Sequence, residues 1–192
     1  MQIINQNQQQ INKWSGGTTT QLFIYPTQSS YLNRDFLFRI STATVDEDVS
    51  EFTQLLGYNR LLMLIDGELK ITHQVDNFNT NNADLKPYKT HHFNGAWPTT
   101  AIGRVVDFNV IFKPQITVKM EHLVLAANQS TTINNNTDFM FVYVTLGDTS
   151  INNNKSTLNK GDFAIINPNT PVQLNTLNGC TFIITYINLL AL

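Results

Sequence analysis

FLFRISTATVDEDVSEFTQLLGYNRLLMLIDGEL, residues 36 to 69, decides how the chain is read. Its first ten residues alternate, with Phe36, Phe38, Ile40, Thr42 and Thr44 on one face and Leu37, Arg39, Ser41, Ala43 and Val45 on the other. Both faces are partly apolar, the pattern of a strand in the wall of a sandwich or barrel. Asp46-Glu47-Asp48 then opens a connection in which VSEFTQLL (49–56) is expected to make a helical turn stopped by Gly57. From Tyr58 the run NRLLMLIDGEL reads as a second strand, turned as a hairpin at Asp66-Gly67 into LKITHQV. Arg39 and Arg60 ride on these two strands, and a guanidinium facing a core or cavity needs a partner, because an unpaired buried charge is costly.

Working outward, Trp14-Ser15-Gly16-Gly17-Thr18-Thr19-Thr20 leads into QLFIYP, a strand ended by Pro26. Downstream, AWPTTAIGRVVDFNVIF gives a further strand before Pro114. The second half, ITVKMEHLVLA, FMFVYVTLGDTSI, STLNKGDFAIINP and CTFIITYINLLAL, repeats short β-rich runs between Gly, Asn and Pro. No long segment has the apolar recurrence of an amphipathic helix, so the fold class is all-β. LLMLIDGELKI (61–71) and FVYVTLGDTSI (141–151) echo one another as strand, glycine, strand, and each is followed by a polar loop and a short strand. That repeat predicts two small β-barrels packed as one unit, 1–113 and 114–192, with the seam near KPQI.

Composition narrows the function. With 192 residues, 42% hydrophobic, the chain can build a sizeable core, and a formal net charge of -2 with 14% charged residues supplies no basic field for nucleic acid or an anionic membrane. One cysteine, Cys180, excludes an internal disulfide framework and reads as a small buried strand residue. The first residues, MQIINQNQQQINKW, lack the pattern of a signal peptide, and no run has the length of a membrane span, so the cytoplasm is the expected compartment.

Two patterns resemble the hairpin and Gly-Asp turn of cupin barrels: Leu-x-x-Leu-x-x-Gly-x-Leu from Leu61 to Leu69, and LNKGDFAII from Leu158. Five ordered motifs are similar to those of one cupin family, HutD/Ves. They are Trp14 to Thr20; Phe38-Arg39-Ile40-Ser41 with Ala43 and Val45; Phe52 through Gly57 to Arg60-Leu61; Phe93-Asn94-Gly95 with Trp97; and Asp107-Phe108-Asn109. The similarity spans roughly residues 10 to 112. Ser15 and Gln21 depart from it, standing where the family often has Asn and Glu. The resemblance implies a bicupin of two jelly-roll barrels without an established enzymatic activity, with some relatives tied to histidine utilisation.

The candidate ligand-binding residues are Trp14, Thr18, Arg39, Ser41, Arg60, Asp107 and Asn109. Guanidinium forks on neighbouring strands suit the carboxylate of a small organic acid, with Trp14 as a wall and Thr18 or Ser41 as hydroxyl donors. Asp107 and Asn109 share one strand face while Phe108 enters the core. The competing role for either arginine is an internal ion pair with Asp107, Glu51 or Asp66. A metal-dependent cupin enzyme, an isomerase or oxygenase, is the alternative; it would use His91 or His92 with Asp107. Adjacent histidines on a strand point to opposite faces, however, and cannot share an ion without a bulge. The third reading is a structural or interaction protein with closed pockets. The leading expectation is a non-catalytic bicupin without a cofactor that binds a small anionic metabolite; exposed sheet edges also allow a homodimer.

Overall fold

The structure, a computed structural model, describes residues 1–152 and 156–189; the end of the expected C-terminal strand run, 190–192, lies outside them. The chain opens with β1 (Gln2–Ile4), a single 3-10 turn (Gln6–Gln8), β2 (Gln10–Trp14), β3 (Gly17–Tyr25), β4 (Phe38–Val45) and β5 (Val49–Phe52). It continues with β6 (Asn59–Gly67), β7 (Leu69–Gln74), β8 (Thr80–Leu85), β9 (Thr90–Asn94), β10 (Thr99–Ile102) and β11 (Val105–Phe112). The second half holds β12 (Ile116–Leu125), β13 (Ser130–Asn134), β14 (Phe139–Ile151), β15 (Ser156–Asn159), β16 (Phe163–Ile166), β17 (Pro171–Asn175) and β18 (Cys180–Leu189). The protein is all-β and cupin-like. No helix among the described residues is long and apolar enough to cross a membrane.

Two compact units form, one from Gln10 to Ile116, the other from Met1–Gln9 with the chain from Thr117 onward. The sequence division at 113/114 therefore differs from the observed one chiefly in the first nine residues. They join the later unit because β1 lies antiparallel on β16, and because buried Asp162 accepts hydrogen bonds from the Gln6 backbone N–H (2.9 Å) and the Asn5 side chain (3.2 Å).

In the 10–116 unit, a six-stranded sheet runs β2-β3-β4-β11-β6-β9 and a four-stranded sheet runs β5-β10-β7-β8. Residues from both sheets, including Val45, Leu62, Leu64 and Val105 from the first and Leu69, Ile71 and Ala101 from the second, make the apolar core between them. The other unit repeats this pairing. β11 lies between β4 and β6 as β18 lies between β12 and β14; β10 pairs β5 and β7 as β17 pairs β13 and the end of β14.

Two local expectations change. VSEF forms strand β5, not a helical turn, because its residues pair in register with Thr99–Ile102 of β10. Asp66-Gly67 is not a hairpin: β6 pairs with β11 and β9, β7 with β10 and β8, so the chain crosses from one sheet to the other at Gly67. Gly147 does the same within β14. Both glycines have positive φ, +83° and +78°, and a Cβ would fall 2.4 Å from the Arg104 carbonyl oxygen at one corner and 2.3 Å from that of Gly179 at the other.

Candidate functional site

The interior face of the β4-β11-β6 sheet is laid out in rows by its register. Arg39, Ile111 and Arg60 stand side by side; Ser41, Asn109 and Leu62 form the next row, and Ala43, Asp107 and Leu64 the one after. On β3, Gln21 stands beside Ser41 and Thr19 beside Ala43. These rows line a cavity of about 630 Å³ that is further walled by Trp14, Tyr31, Ser50 and Phe52.

Both arginines are buried, and each is held without a carboxylate partner: among the described residues, no ion pair involves either of them. Arg39 donates from Nε to Gln21 Oε1 (2.9 Å) and from Nη1 to Ser41 Oγ (3.1 Å), and its guanidinium lies 4.6 Å from the centre of the Tyr31 ring. Arg60 donates from Nη2 to the Thr53 carbonyl and lies 5.3 Å from the Phe52 ring centre. Burial lowers the pKa of both; at Arg60 the Tyr31 and Asp107 charges oppose that shift and Arg39 reinforces it. Guanidinium groups remain cationic at neutral pH even so. Asp107 moves the other way: burial pushes its carboxyl up to about 7, with Arg60 pulling against the shift.

Three residues that line this cavity each carry a buried polar atom with no hydrogen-bond partner in the protein: Ser50 Oγ, Arg60 Nε and Asn109 Oδ1. Among the described residues, Thr185 Oγ1 in the other unit is likewise buried and unpartnered. Buried polar groups are otherwise paired almost without exception, so the walls of this cavity hold unused hydrogen-bonding capacity.

Of the sequence candidates, Trp14, Arg39, Ser41, Arg60, Asp107 and Asn109 line the cavity together. Thr18 does not. It pairs with Thr44, in the row facing away, and Thr19 takes the cavity position because strand residues alternate. Gln21 lines the cavity too, although in the sequence it stood out only as a family departure. Tyr31, Ser50 and Thr53 were missed; Tyr31 comes from the loop after Pro26, and the other two lie within the stretch read as a helical turn. The expected alternative of closed pockets does not describe this unit, whose cavity opens beside its two unneutralised arginines.

Nearby, a histidine chain has its tautomers set by its partners. Thr99 Oγ donates to the Trp97 carbonyl (3.0 Å), so it accepts from Nδ1–H of buried His73 (2.7 Å). His73 Nε2 is then the acceptor for Nε2–H of His91 at 2.8 Å. Burial, with His91 adding to it, takes His73 down to about 4; burial and then His92 lower His91. His92 instead lies 5.9 Å from Phe112, on the opposite face of β9, so the two adjacent histidines are not brought to one point. Among the described residues no three His, Cys, Asp or Glu side chains converge as metal ligands. Cys180 is buried, its thiol pushed up to about 12 by burial and Asp148, which leaves it the unreactive core residue of β18.

Solved structures with this architecture include a conserved protein of unknown function, PA5104, from Pseudomonas aeruginosa PAO1 (TM-score 0.81, 15% identity, 99% of each chain covered). HutD from Pseudomonas fluorescens SBW25 superposes with a TM-score of 0.71 at 17% identity over 97% of each chain. Hazelnut (Corylus avellana) vicilin reaches 0.75 at 8% identity, over 97% of this chain and 85% of its own. At these identities the likeness shows the fold alone. No curated protein sequence matches the chain. The HutD family model matches residues 6–184, well beyond the 10–112 over which the motifs are legible. Its two-unit cupin-like architecture and that match together show that this chain belongs to the HutD family.

Proposed function

We propose that the cavity of the 10–116 unit binds a small organic acid by its carboxylate, without catalysing a reaction on it. The carrying observation is a pair of buried guanidinium groups, Arg39 and Arg60, that line one cavity without an ion pair to a carboxylate among the described residues, with Arg60 Nε unpartnered. A carboxylate bridging the two arginines would convert an uncompensated buried charge into charge-assisted hydrogen bonds. Ser41 and Gln21 hold Arg39 without neutralising it, so they orient the fork and leave its charge for the ligand. Trp14 and Tyr31 supply aromatic walls.

The family adds a class of acid to this reading, those derived from histidine, and a cytoplasmic regulatory or housekeeping role fits a site that binds without converting. The test is thermal-shift and calorimetric screening against small carboxylates including urocanate and formiminoglutamate. Stabilisation by at least one acid, lost in Arg39→Ala, supports the proposal. No stabilisation by any acid, or stabilisation unchanged in Arg39→Ala, refutes it.

A further inference from the structure

The aspartate of the cavity carries an inference that rests on the carboxylate-binding reading and goes beyond it. Asp107 is 5% exposed, stands on β11 between Ala43 and Leu64, and faces the cavity from the same strand face as Asn109. Asn109 lies between Asp107 and the row of arginines, and its Oδ1 is unpartnered, as is Arg60 Nε. An anion held at the arginines therefore shares the cavity with the Asp107 carboxyl, two rows along the same sheet.

We propose that the cavity takes up its anion together with one proton, held on Asp107. Two carboxylates sharing a low-dielectric cavity disfavour each other's ionised form, so the bound anion raises the proton affinity of Asp107. Once protonated, Asp107 is neutral and presents an O–H donor. Burial has already brought the free carboxyl to a point where the proton is within reach near neutrality. The charged or titratable groups lining the same cavity are Arg39 on β4, Arg60 on β6, Lys13 on β2, Glu51 on β5 and Tyr31 in the loop after β3. His73 and His91 pack on Phe93, whose ring centre lies 6.0 Å from the Arg60 guanidinium, and both are held below the ordinary imidazole value.

The linkage has a definite sign. Because the pKa of Asp107 is higher in the bound form, anion affinity is highest below the midpoint of the free protein. Above that midpoint it falls by about tenfold per pH unit until the midpoint of the complex is reached.

The experiment is a carboxyl-carbon NMR titration of protein labelled at aspartate Cγ, with and without formate as the probe and with Asp107→Asn to assign the resonance. Binding is followed separately at the Arg60 Nε–H resonance. The expected result is a free Asp107 midpoint well above the ordinary carboxylate range, moved up by about one unit or more at saturating formate. Formate affinity in Asp107→Asn should lose its fall across neutral pH. An ordinary free midpoint, or one unmoved by formate that the Arg60 signal shows to be bound, overturns the proton linkage and leaves carboxylate binding standing. Formate that never perturbs Arg60 overturns the linkage, and carboxylate binding is then decided by the screen of larger acids.

Discussion

Arg60 is 5% exposed, spends one donor on the Thr53 carbonyl, and leaves Nε unpartnered against the rings of Phe52 and Phe93. A residue kept for stability would not be arranged so, because replacing an unpaired buried charge by an apolar chain of similar length is neutral or stabilising. Arg60→Met is therefore expected to hold or raise the melting temperature while weakening carboxylate binding by about 10- to 100-fold, the worth of a hydrogen bond to a charged group. Calorimetry and thermal melting on one preparation check both halves. Two other residues set opposing pH slopes. His73 sits below its ordinary value, so the unfolded chain gains its proton first, and stability falls as pH drops from about 6.5 to about 4. Asp107 sits above its ordinary value, so the unfolded chain loses its proton first, and stability falls as pH rises from about 4 to about 7. The two partly cancel in the native protein. Melting temperature measured across this window should rise more steeply with pH in Asp107→Asn and fall with pH in His73→Gln.

At the scale of elements, the alternating pattern of FLFRISTATV was enough to put Arg39, Ser41 and Ala43 on one face of a strand, because strand geometry leaves no other choice. Register across strands was not legible. Thr18 and Thr19 are chemically alike in sequence, and only the pairing of β3 with β4 turns Thr19 toward the cavity. The Asp-Gly signal at residue 67 was misread for the same reason: locally it is a hairpin, but the strands on either side find partners in different sheets. Corner glycines are then positions of strain. Gly67→Ala and Gly147→Ala each place a Cβ against a backbone oxygen at positive φ, and each should cost about 2 kcal/mol or more in urea unfolding. Asp162, read as part of a turn, is a buried acceptor for the Gln6 and Asn159 backbone N–H groups, each at 2.9 Å. Asp162→Ala should release residues 1–9 from β16, seen as loss of amide exchange protection in β1 with β4 and β11 unchanged.

For the whole molecule, the same strand pairing occurs twice, yet the two units are filled differently. In the unit containing β12 to β18, buried residues such as Met140, Val144, Leu158 and Phe182 make an apolar core, with Leu123, Ile133 and Tyr186 packed against it. In the 10–116 unit the apolar core takes Leu62 and Leu64 from the β4-β11-β6 rows, while Arg39, Arg60, Asp107 and Asn109 of the same rows line the cavity. The family was legible because its motifs are contiguous runs. The site was only half legible, since Tyr31, Ser50 and Thr53 reach it from a loop and from the opposite sheet, placements that no local pattern encodes. The central claim is that this cavity binds a carboxylate between its two arginines. A crystal structure of the protein soaked with the acid that stabilises it most tests that claim directly. Carboxylate density is expected within hydrogen-bond distance of Arg60 Nε and the Arg39 guanidinium. The same acid bound elsewhere, with both arginines in their present contacts, would contradict it.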